Sequence, residues 1–326
     1  MIPPISAFPF AAAQGRTRAS SLGRSALYIV LVLVCGLLVS ALSGILPEKT
    51  VHPTVETSLI AAAVSASLFL LCFVVFPTRI MLRLFRDPPE QAGWQPANAP
   101  QLLFLGISAG FVAITLFATV LWSEGAVRWT PAIPTLRQVV SEGLLSAVFW
   151  LCVAASEEGL NRGYAFVQLV RAFSFWPAAL IDCGIVMLEH ATYHEETAAG
   201  ILGAGLFGLV LVYSFLQTGS LWFALGLHAS WKFAQNFIFG FASRDATETP
   251  SLLMCQLSDN PLLTGGSAGP EGSILILPVT VLLMALVHGL GLRLKPHASE
   301  RVIIMKQADA CQARFMNEQV FPDPGT

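Results

Sequence analysis

Apolar runs of membrane length recur along the chain and are separated by short polar segments. A helix needs about 20 apolar residues to cross the hydrocarbon core of a bilayer. Eight such runs can be placed, and the fifth is short and polar at its end. The predicted spans cover 27–47, 58–77, 102–122, 138–157, 177–193, 198–217, 219–241 and 273–292. The pattern therefore predicts an all-α fold, a polytopic transmembrane helical bundle of about eight spans.

Composition agrees with this pattern. Only 12% of the residues are charged and 55% are hydrophobic, whereas a soluble domain is about 25% charged. The net charge of −2 and the lack of a basic stripe argue against nucleic acid as a partner. The six cysteines show no CxxC spacing, and most fall inside predicted spans. We therefore expect neither a disulfide framework nor a zinc knuckle.

Basic residues cluster in alternate loops, which sets the expected orientation. They precede span one, follow span two and follow span eight: Arg16, Arg18, Arg24, Arg79, Arg83, Arg86, Arg293, Lys295, Arg301 and Lys306. Because cytoplasmic loops carry the excess of Lys and Arg, both termini are predicted in the cytoplasm. The first span is too long for a signal-peptide core, so it is expected to be a retained anchor.

The polar segments divide the chain into regions around one core. These are a cytoplasmic N-terminal segment at 1–26, two leading spans with a linker at 27–100, the core at 101–241, an extracytoplasmic loop at 242–272, the last span at 273–292 and a cytoplasmic tail at 293–326. The loop is rich in Gly, Ser, Pro and Asp, which predicts a mobile segment. Gly200, Ala204 and Gly208 recur every four residues in span six, which predicts close helix packing.

The stretch Ser156–Gly163 places two glutamates and an arginine at the end of an apolar run. Such charges cost roughly 2.5–3.5 kcal/mol each at a helix centre, so they persist where they pair or line a wet cavity. Glu158 and Arg162 are four residues apart, which predicts an intrahelical ion pair. Glu157 is rotated by about 100° and stays available for chemistry. The alternative is that both glutamates only mark a cytoplasmic helix end.

Histidines supply the other candidate groups. His190 follows an apolar run, and His194 lies four residues further on. Ala191 stands where an HExxH motif requires glutamate, so His194 is expected to be a surface residue. Asp182, in the same span, receives no assigned role.

Span seven carries a histidine and a lysine near its middle. His228 and Lys232 are one helical turn apart and therefore share a helix face. This pairing favours a functional role over packing. His288 in span eight is expected to be structural, with no polar companion.

The chain carries, in order, an EExxxR motif, a later histidine, and Gly-Ser-Leu-Trp before a final histidine. This order resembles the CAAX protease and bacteriocin-processing family, the Abi-type intramembrane endopeptidases. The resemblance covers roughly residues 138–240. It implies a membrane endopeptidase that cleaves a peptide or a membrane-anchored protein at the lipid bilayer, in CAAX-type processing or in bacteriocin processing and self-immunity. It also favours the bacterial plasma membrane as the location.

Carried over by position, the resemblance makes Glu157 the catalytic glutamate, with Glu158 and Arg162 as supporting residues. His190 matches the histidine of an FxxxH motif in which valine replaces phenylalanine. His228 matches the third motif, but Lys232 stands where the family has Asn or Asp.

The resemblance implies that Glu157 activates a water held by His190, while His228 and Lys232 stabilise the oxyanion. This mechanism requires no cofactor. The alternative is a zinc ion bound by Glu157, His190 and His228, although no HExxH pair is present.

The predicted boundaries leave a geometric tension. Glu157 and His190 meet only if span four continues past Arg162 or if span five starts before Trp176. Two rival interpretations also stay open. One is a proton or solute transporter, which predicts inverted repeats that the sequence does not show. The other is a catalytically silent membrane scaffold of the same fold, which the lysine at 232 favours.

Overall fold

The computed structural model describes residues 17–43, 55–95, 98–132, 135–192, 197–241 and 251–294. Helices dominate this part of the chain. They are α1 (Arg18–Ser43), α2 (Val55–Phe69), α3 (Phe76–Leu84), α4 (Ala99–Ser123), α5 (Leu136–Asn161), α6 (Tyr164–Phe173), α7 (Phe175–Ala191), α8 (Ala198–Thr218), α9 (Trp222–Phe233), α10 (Pro261–Thr264) and α11 (Ile276–Leu294). Two π-helical turns, Leu70–Val75 and Ala234–Ile238, continue α2 and α9. Two short 3₁₀ turns cover Pro89–Ala92 and Gly266–Gly272.

Every predicted span overlaps one of these helical segments, and the all-α polytopic fold is confirmed. In the described part of the chain, five segments are long and apolar enough to cross a membrane: Arg18–Val39, Ser58–Leu84, Ala99–Ser123, Leu136–Phe173 and Ala198–Thr218. A shorter apolar helix covers Ile276–Gly291. The count of eight spans stays a prediction, because α7 and α9 are shorter than a full crossing.

The first helix begins at Arg18, well before the predicted start of its span. Its polar first turns are helical because they pack on α6. Ser21 and Ser25 are buried, and the Ser25 hydroxyl donates to the Ala165 carbonyl at 3.0 Å.

Large apolar side chains are exposed around the outside of the bundle. Examples from successive helices are Leu37, Leu68, Phe104, Leu144 and Leu188. A water-soluble protein rarely leaves a continuous apolar surface of this kind. This surface is the one expected for helices that face lipid hydrocarbon.

The main core lies where α4, α8, α9 and α11 meet. Its largest fully buried side chains include Phe117, Trp231 and Phe223. Glycines bring α4 and α9 into backbone contact. A Cβ at Gly106 would overlap the Phe223 carbonyl oxygen, and one at Gly226 would overlap that of Leu103. Without these glycines the two helices could not approach so closely.

The small residues predicted to allow packing in α8 lie in the interior. Gly200, Ala204 and Gly208 are all buried. Gly208 faces the polar site as well, since a Cβ there would lie 3.2 Å from Arg162 Nη2.

The loop at 243–273 was expected to be mobile, and its described part, residues 251–273, contains regular structure. Strand β2 (Leu253–Leu257) pairs antiparallel with β1 (Val127–Pro131), with Trp129 opposite Cys255. The Trp129 indole N–H donates to the Phe239 carbonyl at 2.9 Å. The alternating Leu253, Cys255 and Leu257 are the partly buried positions of β2, a period-two pattern that the composition of the loop concealed.

One histidine prediction is also wrong. His288 was expected to lack a polar companion, but its Nδ1 lies 2.7 Å from the Tyr213 hydroxyl. The partner was missed because it comes from α8, far from α11 in sequence. His194, at 193–196, lies outside the described residues, as do Arg16 and the basic residues beyond 294.

Candidate active site

The two glutamates lie in the last turn of α5, directly before a change of chain direction. The Arg162 amide closes the helix by donating to the Glu158 carbonyl at 2.9 Å. Gly163 precedes α6 and lies close to the backbone of α5. A Cβ at Gly163 would overlap the Gly159 carbonyl oxygen. Helix α5 ends at Asn161, and α7 begins at Phe175, one residue before Trp176. The early start of α7 meets one of the two predicted conditions, and the meeting of Glu157 with His190 stays a prediction.

Arg162 is the centre of a buried ion cluster. Its Nη1 donates to Glu158 Oε1 at 2.9 Å, which confirms the ion pair predicted from the four-residue spacing. Its Nε lies 3.2 Å from Asp182 Oδ2 in α7, a contact with the distance of an ion pair but not the alignment of a hydrogen bond. A buried charge without such partners would be strongly destabilising. Asp182, unassigned from sequence, therefore has a structural role beside the glutamates.

The neighbouring glutamates differ in environment as the helix geometry predicts. The Glu158 side chain is 0% exposed, whereas that of Glu157 is 43% exposed. Glu158 Oε2 is buried and has no hydrogen-bond partner among the described residues. Glu158 is thus held in the interior, and Glu157 is the carboxylate that a substrate or a water can reach.

His228 from α9 joins both glutamates. Its Nδ1 lies 2.9 Å from Glu158 Oε1, and its Nε2 lies 3.5 Å from Glu157 Oε2. Each imidazole nitrogen therefore faces a carboxylate. A protonated ring would donate to both, and a neutral ring would donate to one. This contact between α5 and α9 brings residues 70 positions apart into one site.

His190 lies in the last turn of α7 and is half-buried. Its imidazole is near enough to act on the charge of Glu271, in the 3₁₀ turn before α11. Burial raises the pKa of the Glu271 carboxyl. The charge of Lys232, hydrogen bonds to the carboxylate and a smaller contribution from His190 together hold this pKa below its ordinary value.

Lys232 therefore lies in a second polar cluster on the same helix as His228. Its Nζ is 3.2 Å from Glu271 Oε1. The sequence analysis missed Glu271, which is one of several acidic residues in a Gly- and Pro-rich loop and carries no motif. Among the described residues, no three His, Cys, Asp or Glu side chains form a metal-binding group.

The fold and this site define a class: a polytopic membrane protein with a buried acid and imidazole centre. Residues 140–234 match the family model of the type II CAAX prenyl endopeptidases, Rce1-like. Neither a curated protein nor a solved structure matches the chain. The match confirms the resemblance found in the sequence. Over these residues the chain is similar to the type II CAAX prenyl endopeptidases.

Proposed function

We propose that the protein is an intramembrane endopeptidase that hydrolyses a peptide bond of a membrane-associated or lipid-modified protein with a glutamate-activated water. The observation that carries this proposal is the contact of His228 with both Glu157 and Glu158. Only a carboxylate within reach of water can act as general base. Glu157 meets this requirement, and the buried Glu158 does not.

The supporting residues prepare Glu157 for this role. Arg162 binds Glu158 and Asp182, so most of the buried charge is compensated before substrate arrives. Glu157 would take a proton from a water that His190 helps to hold. The resulting hydroxide would add to the scissile carbonyl carbon. Return of the proton to the leaving amine would complete hydrolysis, giving a carboxylate and an amine.

His228 and Lys232 would stabilise the oxyanion that forms during this attack. They lie one turn apart on α9, and a cation stands where the family has Asn or Asp. Removing one oxyanion donor typically costs about 3–4 kcal/mol in the transition state. On this basis the proposal assigns Lys232 a role in the reaction. A zinc ion with Glu157, His190 and His228 as ligands stays an alternative, and metal analysis of the purified protein tests it.

The substrate proposal follows the matched family and covers two classes. One is an S-prenylated CAAX protein and the other is a bacteriocin-like peptide. The proposed location is the bacterial plasma membrane, with both termini in the cytoplasm.

The decisive experiment compares the parent with Glu157→Gln. Purified protein is assayed on an S-prenylated CAAX peptide, and membrane-protein termini are compared in cells that express either form. We expect cleavage by the parent and none by Glu157→Gln, with both proteins equally folded. Equal turnover by the variant would refute Glu157 as the base. Folded parent protein without activity in both assays would instead favour the silent scaffold, for which the Lys232–Glu271 ion pair is the supporting observation.

A further inference from the structure

A buried carboxylate outside the matched family segment adjoins the site. Glu271 lies in the 3₁₀ turn Gly266–Gly272, and its side chain is 8% exposed. Three side chains of α9 and the following π-helical turn reach it. They are Lys232 Nζ at 3.2 Å and Trp231 Nε1 at 3.3 Å, both on Oε1, and Gln235 Nε2 at 3.4 Å on Oε2. Both carboxylate oxygens are therefore occupied by donors from one helix face.

The backbone of this turn is fixed from the opposite side. A Cβ at Gly203 in α8 would overlap the Glu271 carbonyl oxygen, so the turn lies directly on that helix. Trp231 is fully buried and cannot swing away from the carboxylate. Glu271 is thus held between α8 and α9. A fixed anion in this position restricts the ammonium that pairs with it.

The restricted ammonium belongs to the proposed site. Lys232 lies one turn after His228, and the π-helical turn Ala234–Ile238 begins two residues later. Such π turns are rare and are frequent at functional sites. The carboxylate contacts the predicted site residue Lys232, and His190 contributes to its electrostatic environment.

We propose that Glu271 is a positioning residue that orients the Lys232 ammonium beside His228. This inference rests on the proposed function. A lysine side chain has about 2 kcal/mol of rotamer entropy to lose when it is ordered. The ion pair with Glu271 orders it before substrate binds. An error of about 1 Å in the position of a catalytic group can cost roughly 100-fold in rate. The effect of losing Glu271 should therefore appear in kcat rather than in KM.

The test uses the full-length protein in detergent micelles, with an S-prenylated CAAX peptide as the probe. Glu271→Gln is expected to lower kcat by about 10- to 100-fold, with KM changed by less than about twofold. Glu271→Asp, which keeps the charge, should recover part of this loss. Parental kcat in Glu271→Gln would overturn the proposal.

A second pair of variants separates positioning from folding. Lys232→Met and the double variant Lys232→Met/Glu271→Gln are compared, because removing both charges of a buried pair often leaves stability intact. If Glu271 acts through Lys232, the two proteins have the same kcat within about twofold. A further large loss in the double variant would overturn the proposal, since it would show that Glu271 acts independently of the lysine.

Asp87→Asn is the matched control, because it also removes a buried carboxylate that forms an ion pair. Asp87 pairs with Arg24 at 3.0 Å, and neither residue contacts Glu271 or Lys232. Folded Asp87→Asn should keep the parental kcat. If Asp87→Asn lost as much kcat as Glu271→Gln, the Glu271 effect would be general destabilisation and the proposal would be overturned. If Glu157→Gln is inactive and Glu271→Gln keeps the parental kcat, the proposed function stands and only the role of Glu271 is refuted. An inactive parent removes the proposed function itself, so the two failures are distinguishable.

Discussion

Arg162 at the end of α5 and Asp182 in α7 form an ion pair between two helices, with Nε 3.2 Å from Oδ2 and both side chains buried. The pair fixes α7, which carries His190, to the helix that carries the glutamates. Arg162 is therefore more than a partner for Glu158 within its own helix. It sets the relative position of two helices that contribute to the proposed site.

Asp182→Asn should reduce the free energy of unfolding by about 3 kcal/mol, at the low end for a broken buried pair because Glu158 still compensates Arg162. Denaturant titration of the purified protein in micelles measures this change. The exposed Asp259 provides the control, and Asp259→Asn should be neutral. Equal stability of the two variants would mean that the Asp182 contact contributes nothing.

The two adjacent glutamates should separate into a stability residue and an activity residue. Glu158→Gln removes the charge that binds Arg162 and His228, so we expect a loss of about 3 kcal/mol in unfolding free energy. Glu157→Gln, at a side chain 43% exposed, should leave stability within about 0.5 kcal/mol and abolish cleavage. The same unfolding titration and peptide assay on both variants check this division. The reverse pattern would exchange the two roles.

The close crossing of α4 and α9 should be sensitive to a single methyl group. Gly106→Ala forces the new Cβ into the Phe223 carbonyl and should cost about 1–3 kcal/mol. Gly184 in α7 is the matched control, because nothing lies within 4 Å of a Cβ there. Gly184→Ala should be neutral or slightly stabilising, since alanine is the better helix former. Thermal unfolding of both variants decides the point.

The N-terminal helix should depend on a hydrogen bond at the start of α6. The Tyr164 hydroxyl donates to Asp87 Oδ2 at 2.9 Å, and Arg24 of α1 binds the same carboxylate. Tyr164→Phe should cost about 2 kcal/mol, because hydrogen bonds to charged groups are the stronger ones. Tyr28→Phe, which loses only a 3.3 Å contact with the Thr78 hydroxyl, should cost less than about 1 kcal/mol. Limited proteolysis near α1 and thermal unfolding report the difference.

Local patterns predicted the helices and one ion pair well. The spacing of Glu158 and Arg162 decides their contact within a single helix, so it could be stated in advance. The different exposure of Glu157 follows from the same geometry. The strand in the loop at 243–273 was missed, because the pairing of β2 with β1 joins segments that the sequence separates widely.

By itself the sequence determined that this is a helical membrane protein, where its apolar segments lie, and which residues carry the family motifs. Hydrophobic length and helical spacing are local properties, and so are motifs. Only the tertiary structure decided that His228 contacts both glutamates, that Asp182 completes the charge balance of Arg162 and that Glu271 holds Lys232. These contacts depend on how helices far apart in the chain approach one another. That approach depends on contacts such as Gly106 with Phe223, whose partners lie far apart in the sequence.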